Sequence, residues 1–355
     1  MKRYGNLFNV LISYDNINEA VIEVCKLNNY TKAANDIMTN KETCIQYLQQ
    51  LLIERQYTVS NYWHKEIQES GKHRDIFILP IFPDRIIQHA LVQILEPIWD
   101  KTIIDQSCAC RKNRGIDKAV EFTKQYVSKY TYCVKFDIHH FYQSIDHYIL
   151  KNIIRAKLKD EDILYLLDKI IDSSNIIDGV GIPIGNYISQ WFGNLYLGIL
   201  DRFVKEELHI NGYVRYCDDF IIFGDDKEKL NMYINAIRYL VYNVLRLQFS
   251  RCDLFPMEKR FVDFLGYQFH KDKSNVYLKM RVRTYKRCMN RLNNITREAL
   301  PINTARSVYG SYNGIGIRCS GHNAYDNILN FNFTKERIDA YDRILKKSLK
   351  EELKC

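Results

Sequence analysis

Residues 213–224 read YVRYCDDFIIFG, two apolar, β-rich runs (Tyr213 to Cys217 and Phe220 to Gly224) on either side of Asp218 and Asp219. Such runs joined by a two-residue polar tip predict an antiparallel hairpin. Side chains alternate faces along a strand, so neighbouring aspartates share one site only at a turn. An Asp-Asp tip alone is a common solvated turn. It gains meaning from Tyr132 to Ile138 (YCVKFDI), a second short apolar run with Asp137 near its end. Three carboxylates on rigid strand ends form a donor set for hard divalent cations, which take oxygen ligands. The adjacent His139 and His140 suit such a cation less well.

Outward from these strands the pattern is mixed, and the fold class read from it is α+β. Residues 6–60 carry apolar positions at helical spacing, as in Ile45, Leu48, Leu51 and Leu52. From Trp63 to Pro83, a basic turn around Gly71 and the β-rich run Ile76 to Phe82 predict a hairpin, and Asp84 is expected to cap a helix over Arg85 to Trp99. A loop, SCACRKNRGID (107–117), follows. Helices are expected from about Tyr148 to Ser173 and from about Ile188 to His209, separated by the Gly-rich turn DGVGIPIGN (178–186). Beyond the hairpin come a helix over Lys227 to Leu245, strands at Phe261 to Phe269 and Asn275 to Lys279, and helix from about Val282. Lys279 to Arg297 holds seven basic residues and no acidic one. Lys279, Arg283, Arg287 and Arg291 fall at four-residue spacing, an expected helical face for a phosphate backbone, with Val282, Tyr285, Met289, Leu292 and Ile295 opposite.

The chain has 355 residues, 46% hydrophobic and 26% charged, enough to bury a large core and unlike a disordered or fibrous protein. Lys and Arg outnumber Asp and Glu by 51 to 42, and the 26 Tyr add stackable rings, a balance that suits nucleic acid. Among ten cysteines the close pair Cys108 and Cys110 has the wrong spacing for a CxxC site, so reduced thiols and a cytoplasmic location are expected. The opening MKRYGNLFNVLISYDN lacks the features of a signal peptide. The uncharged run Gly179 to Leu200 is interrupted by five Gly and Pro183, which reads as a pocket wall and not a membrane span.

YCDD (216–219) matches the YxDD motif of reverse transcriptases, and KFDIHHFYQSIDH (135–147) resembles their preceding aspartate block. Further blocks follow in the family's order: RDIFILPIFPDRIIQHAL (74–91), SCACRKNRGID, GIPIGNYISQWFGNLYL (181–197) and VDFLGY (262–267). The resemblance covers most of residues 1–270. Group II intron-like bacterial members usually carry a glutamine and a Ser-Pro pair in the fourth block. Here Ile184 to Gln190 read IGNYISQ, which resembles the IGNxxSQ form of diversity-generating retroelements, as does the opening MKRYGNL.

The resemblance implies a right-hand polymerase fold. N-terminal helices and fingers would take 1–130, a palm whose antiparallel sheet carries the YxDD hairpin and which holds an inserted helical segment 131–272, and a helical thumb 273–355. It implies an RNA-directed DNA polymerase in which Asp137, Asp218 and Asp219, with the backbone carbonyl of Ile138, bind two Mg²⁺, Mn²⁺ being a substitute. Asp219 is expected to be the more peripheral. Arg74, helped by Lys72 or Lys65, would grip the triphosphate, and Tyr142 would exclude a 2′-hydroxyl while Phe141 is buried. Ile184 and Gln190 would line the nucleotide site. Arg111, Lys112 and Arg114 would contact template or incoming nucleotide, unless their loop is simply solvated. Arg283, Arg287 and Arg291 would follow the primer and template. The implied partners are template RNA, cDNA, dNTPs and a small basic accessory protein, with no membrane, and copying is expected to be error-prone at template adenines. Alternatives are another bacterial reverse transcriptase, phage-defence or intron-derived, or an inactive RNA-binding scaffold, which the intact Asp137 and Asp218 argue against. The stretch after the thumb is too short for an added RNase H or endonuclease domain, so those activities are expected from elsewhere.

Overall fold

The helical spacing of the first sixty residues folds into α1 (Phe8–Leu11), α2 (Tyr14–Leu27), α3 (Lys32–Thr39) and α4 (Lys41–Ile53). Ser13 and Thr31 cap α2 and α3 by accepting from the backbone N–H of Asn16 and Ala34, satisfying donors that a helix start leaves free. The structure is a computed structural model that describes residues 3–69, 72–173, 179–273, 275–297, 307, 310–311 and 314–319. After α4 come β1 (Trp63–Glu69), β2 (Lys72–Ile78), α5 (Ile86–Asp100), α6 (Gly115–Lys129), β3 (Tyr132–Ile138), α7 (His147–Arg155) and α8 (Glu161–Asp172). The chain continues through α9 (Tyr187–Arg202), β4 (Gly212–Tyr216), β5 (Asp219–Gly224), α10 (Lys227–Tyr239), β6 (Phe249–Pro256), β7 (Val262–Phe264), β8 (Tyr267–Asp272), β9 (Asn275–Met280) and α11 (Val282–Arg297). Among the described residues the sheets are β1-β2, β4-β5-β3-β6 and β7-β8-β9, an α+β arrangement.

Two compact units divide the described residues, one drawn from 3–119, 135–222 and 227–253, the other from 120–134, 223–226 and 254 onward. In the first, α5 packs against α2 and α9, and Trp99, fully buried, meets the rings of Trp191 and Phe192. Phe136 stacks on Phe220 with ring centroids 4.5 Å apart and lies 5.2 Å from Phe249, so neighbouring strands share one apolar face. Each such burial contributes about 1.5–3 kcal/mol. Arg215 and Asp201 form a fully buried bidentate pair at 2.6 and 2.7 Å; removing either partner would cost about 3–5 kcal/mol by stranding the other charge. In the second unit, Tyr126 packs against Phe122 and Phe223. There β7, β8 and β9 form an antiparallel meander in which Phe264 pairs with Tyr267 and Phe269 with Leu278.

Several expectations are corrected. Asp84 does not cap α5: its buried carboxylate accepts from the Tyr57 hydroxyl (2.9 Å) and Ser60 N–H (3.0 Å), tying the end of the α4 segment to the start of α5. The strand expected over Ile76 to Phe82 ends at Ile78, because Ile81 to Arg85 coil into a helical turn that leads into α5. The strand expected over Phe261 to Phe269 is two, since Leu265 and Gly266 take left-handed φ of 57° and 87° and turn the chain back on itself. β6 has no counterpart among the expected strands. Lys279 belongs to β9 and not to the helical face of Arg283, Arg287 and Arg291. Among the described side chains of α11, Cys288 is buried and Val282 is exposed.

Candidate active site

Asp137, Asp218 and Asp219 all belong to the first unit. The two-residue link between β4 and β5 requires an antiparallel hairpin, as only that direction closes so tightly. Cys217, in the turn, takes a left-handed φ of 54°, a conformation that costs a non-glycine residue about 1 kcal/mol and is retained where surrounding structure enforces it. The enforcing contact is visible: Arg215 Nη1 donates to the Cys217 carbonyl at 3.0 Å. Phe136 precedes Asp137 on β3 and Phe220 follows Asp219 on β5, and both aspartates are half-exposed. From β6, the Ser250 hydroxyl donates to Asp137 Oδ2 at 2.5 Å. The carboxylate oxygens of Asp137, Asp218 and Asp219 are the kind of ligand a hard divalent cation takes. Among the described residues, the trio of His, Cys or carboxylate ligand atoms lying mutually within 4.8 Å is His64, Glu66 and Asp75 on the exposed hairpin; the three aspartates stand further apart.

A cavity of about 500 Å³ is lined among others by Tyr142, Ile184, Asn186 and Gln190. Three of the expected nucleotide-site residues therefore share one wall. Phe141 is buried and Tyr142 half-buried, as expected, and Tyr142 leans on Gly193, where an added Cβ would come within 3.0 Å of Phe141 and 3.3 Å of Tyr142. Burial pushes the Tyr142 hydroxyl well above the usual tyrosine range, with Cys217, Cys110 and Asp218 adding to the shift, so the ring spans from the cavity to the YCDD turn. Ile184 is fixed by its backbone, whose carbonyl accepts from Phe77 N–H at 2.8 Å. Gly185 follows at φ 119°, and a Cβ there would sit 2.5 Å from the Phe77 carbonyl, so only glycine permits this approach. Asn186 donates to the Tyr62 hydroxyl at 2.9 Å.

The loop after α5 sorts its cations. Arg111 is a correction: its guanidinium turns inward, pairing with Asp100 (2.6 Å) and donating to the carbonyls of Ile104 (2.6 Å) and Ser107 (2.8 Å). Those bonds shape the loop and leave no fork for a template. Arg114 pairs with Asp105 at 2.6 Å, and Lys112 is exposed, 3.6 Å from Glu96. The side chains of Lys72 and Arg74 lie outside the described residues, although β2 carries both positions. Arg283, Arg287 and Arg291 are exposed on α11 of the second unit.

Sequence reasoning missed several residues of this site. Arg85, Gln88 and His89 line the cavity, and their i, i+3, i+4 spacing is the signal that would have found them. His89 stacks on Tyr187 with centroids 4.0 Å apart, and its pKa is pushed down to about 4, by burial first and then by the charge of Arg85. Ser250 carries no signal, because its strand has no clear apolar pattern. No helix among the described residues is long and apolar enough to cross a membrane.

The chain is similar to several known proteins. Protein YkfC of Escherichia coli is 24% identical over 61% of this chain and 68% of its own length. The group II intron-encoded protein LtrA of Lactococcus lactis is 30% identical over 39% of this chain but only 24% of its own length. The solved structure of telomerase from Candida albicans with a TWJ fragment of telomeric RNA superposes with a TM-score of 0.50 at 11% identity, over 80% of this chain and 56% of that one, a likeness of fold alone. The model of the reverse transcriptase (RNA-dependent DNA polymerase) family matches residues 64–269, more than half of the sequence. This match shows that the chain belongs to the reverse transcriptase family.

Proposed function

We propose that this chain copies a template RNA into cDNA for a diversity-generating retroelement, with errors concentrated at template adenines. One observation carries the polymerase reading: Tyr142 links the cavity lined by Ile184 and Gln190 to the YCDD turn, so a nucleotide held in that cavity would face the aspartates. In this reading the described parts correspond to fingers, palm and the start of a thumb. Asp137, Asp218, Asp219 and the Ile138 carbonyl would hold two Mg²⁺, or Mn²⁺ in their place. Bound there, the metal pair supplies activation of a primer 3′-hydroxyl and charge neutralisation at the leaving pyrophosphate. Arg74 and Lys72 bind the triphosphate, a guanidinium matching phosphate oxygens in bidentate geometry. Tyr142 fills the space of a 2′-hydroxyl, Lys112 and Arg114 meet the template strand, and a small basic accessory protein assists.

The retroelement assignment rests on Ile184 to Gln190, where an aliphatic side chain faces the cavity. The similarity to LtrA favours an intron-derived enzyme as the second reading. Extension of an RNA-templated primer by the purified protein, with and without Mg²⁺, tests the polymerase. Sequencing the product separates the two readings: substitutions clustered at template adenines support the retroelement, and a uniform error spectrum supports the intron-derived enzyme.

A further inference from the structure

The YCDD turn has a sulfur neighbour that the proposed chemistry does not use. Residues 106–108 run alongside β4, Ser107 bridging Arg215 in parallel, with Cys108 N–H donating to the Arg215 carbonyl (3.0 Å) and Arg215 N–H to the Gln106 carbonyl (2.9 Å). One register step further on each side, Asn194 clamps the two segments. Its Nδ2 donates to the Ala109 carbonyl at 2.9 Å, and its Oδ1 accepts from Arg215 Nη1 at 3.1 Å, the same nitrogen that holds the Cys217 carbonyl. The clamp sets Cys110, next after Ala109, alongside Cys217, whose carbonyl shares Arg215 Nη1 with Asn194, and each thiol acts on the other's ionisation. Both residues take left-handed φ, 56° and 54°, each turning its chain at the point of contact. Cys110 is exposed and Cys217 partly so, whereas Cys25, Cys108, Cys133, Cys288 and Cys319 are buried.

We propose that Cys110 and Cys217 are a modification site, a thiol pair that a hydroperoxide closes into a disulfide, arresting the YCDD turn. Cys110 is the exposed partner and meets the oxidant. Its sulfur attacks one peroxide oxygen, the O–O bond breaks, and the sulfenic acid forms with release of water or an alcohol. The Cys217 thiol then attacks that sulfur, the S–O bond breaks, and a second water leaves as the S–S bond forms. Two thiols are oxidised by two electrons and the peroxide is reduced by two, so the step balances. A disulfide holds its two Cα atoms within about 4.4–6.8 Å, so the bridge ties the Cys217 backbone, one residue before Asp218, to the loop of Arg111.

The loss of extension rests on the proposed polymerase reading, whereas the disulfide itself does not. The full chain is treated with hydrogen peroxide, its remaining thiols are blocked, and the digest is mapped by mass spectrometry beside primer-extension assays. The expected result is a linked peptide containing Cys110 and Cys217 and an extension rate lower by about tenfold or more, restored by dithiothreitol. C110S should extend like the untreated wild type before and after peroxide. Cys25 also lies near Cys44, and the peptide map tells that pair apart from this one. Absence of the 110–217 peptide in inactivated protein, or equal peroxide sensitivity of C110S and wild type, would overturn the proposal. A chain that never extends a primer yet yields the linked peptide would sink the polymerase reading and leave the thiol pair standing.

Discussion

At the scale of single residues, the side chains differ in what their loss should reveal. Asp137→Asn and Asp218→Asn each keep size and polarity but remove a charge that a divalent cation needs. On the proposed metal assignment several kcal/mol of transition-state stabilisation would depend on that charge, so primer extension should fall by roughly a thousandfold or more. Melting temperature and circular dichroism should stay close to wild type, because neither carboxylate is buried in the core. A folded mutant with near-normal extension would remove the metal assignment. Tyr142→Ala should raise ribonucleotide use, and the ratio of kcat/KM for dNTP and rNTP checks it; an unchanged ratio would place the gate elsewhere. In the proposed reading Ile184 would give the incoming nucleotide shape alone, since an aliphatic chain has no donor or acceptor. Ile184→Gln adds a hydrogen-bonding group at the cavity wall, worth on the order of 1 kcal/mol and hence several-fold in misinsertion. Errors at template adenines should drop more than errors at other bases. Identical spectra from wild type and mutant, by product sequencing, would count against it.

At the scale of elements, α5 shows both what can be tested and what a sequence conceals. His89 stands on α5 with Arg85 in the helical turn that leads into it, Glu23 on α2 and Tyr187 at the start of α9 around it. Its folded pKa of about 4 lies below the unfolded value of 6.5, so the folded chain resists a proton that the unfolded chain accepts. The contribution to stability is therefore complete above pH 6.5 and is lost as pH falls towards 4, by up to about 3 kcal/mol. His89→Phe keeps a ring against Tyr187 and removes the proton, so its denaturation midpoints should fall less than those of wild type across that window. Parallel curves for the two proteins would show that His89 takes no part. The apolar stripe that makes α5 a helix is plain in the sequence, as are β3 and the β4–β5 hairpin, because each announces itself by local periodicity. Asp84 misleads because a helix cap and a buried acceptor for Tyr57 look the same in a one-dimensional pattern. Arg111 misleads for a similar reason: its partners, Asp100 and the loop carbonyls, become visible only when the loop closes. β6 escapes notice because Ser250, Arg251 and Asp253 break its apolar pattern, which an outer strand of a sheet tolerates. Its one contribution to the site, Ser250 against Asp137, is hidden with it.

At the scale of the whole molecule, the net charge of +9 sets a field that any nucleic acid meets before it meets a particular residue. The field is sequence-independent and screened by salt, so it governs affinity and its salt dependence more than it governs fidelity. Some of the charge is used internally, on pairs such as Arg215–Asp201, Arg155–Asp168 and Arg111–Asp100. The exposed arginines of α11 at 283, 287 and 291 are spaced one helical turn apart and point to one side, the spacing at which a helix follows a phosphate backbone. Replacing all three by glutamine removes three charges from an exposed helical face, and circular dichroism checks that the variant is folded. Binding of a labelled RNA–DNA duplex should weaken, and the slope of log affinity against log salt should become shallower by about 0.7–0.9 for each phosphate no longer neutralised, roughly two to three in all. The slope is the discriminating quantity, because a misfolded mutant would bind more weakly at every salt concentration without a proportionate change in counterion release. An unchanged slope in a folded triple variant would take α11 away from the nucleic acid and assign the electrostatic footprint to Lys112, Arg114 and the β1–β2 hairpin.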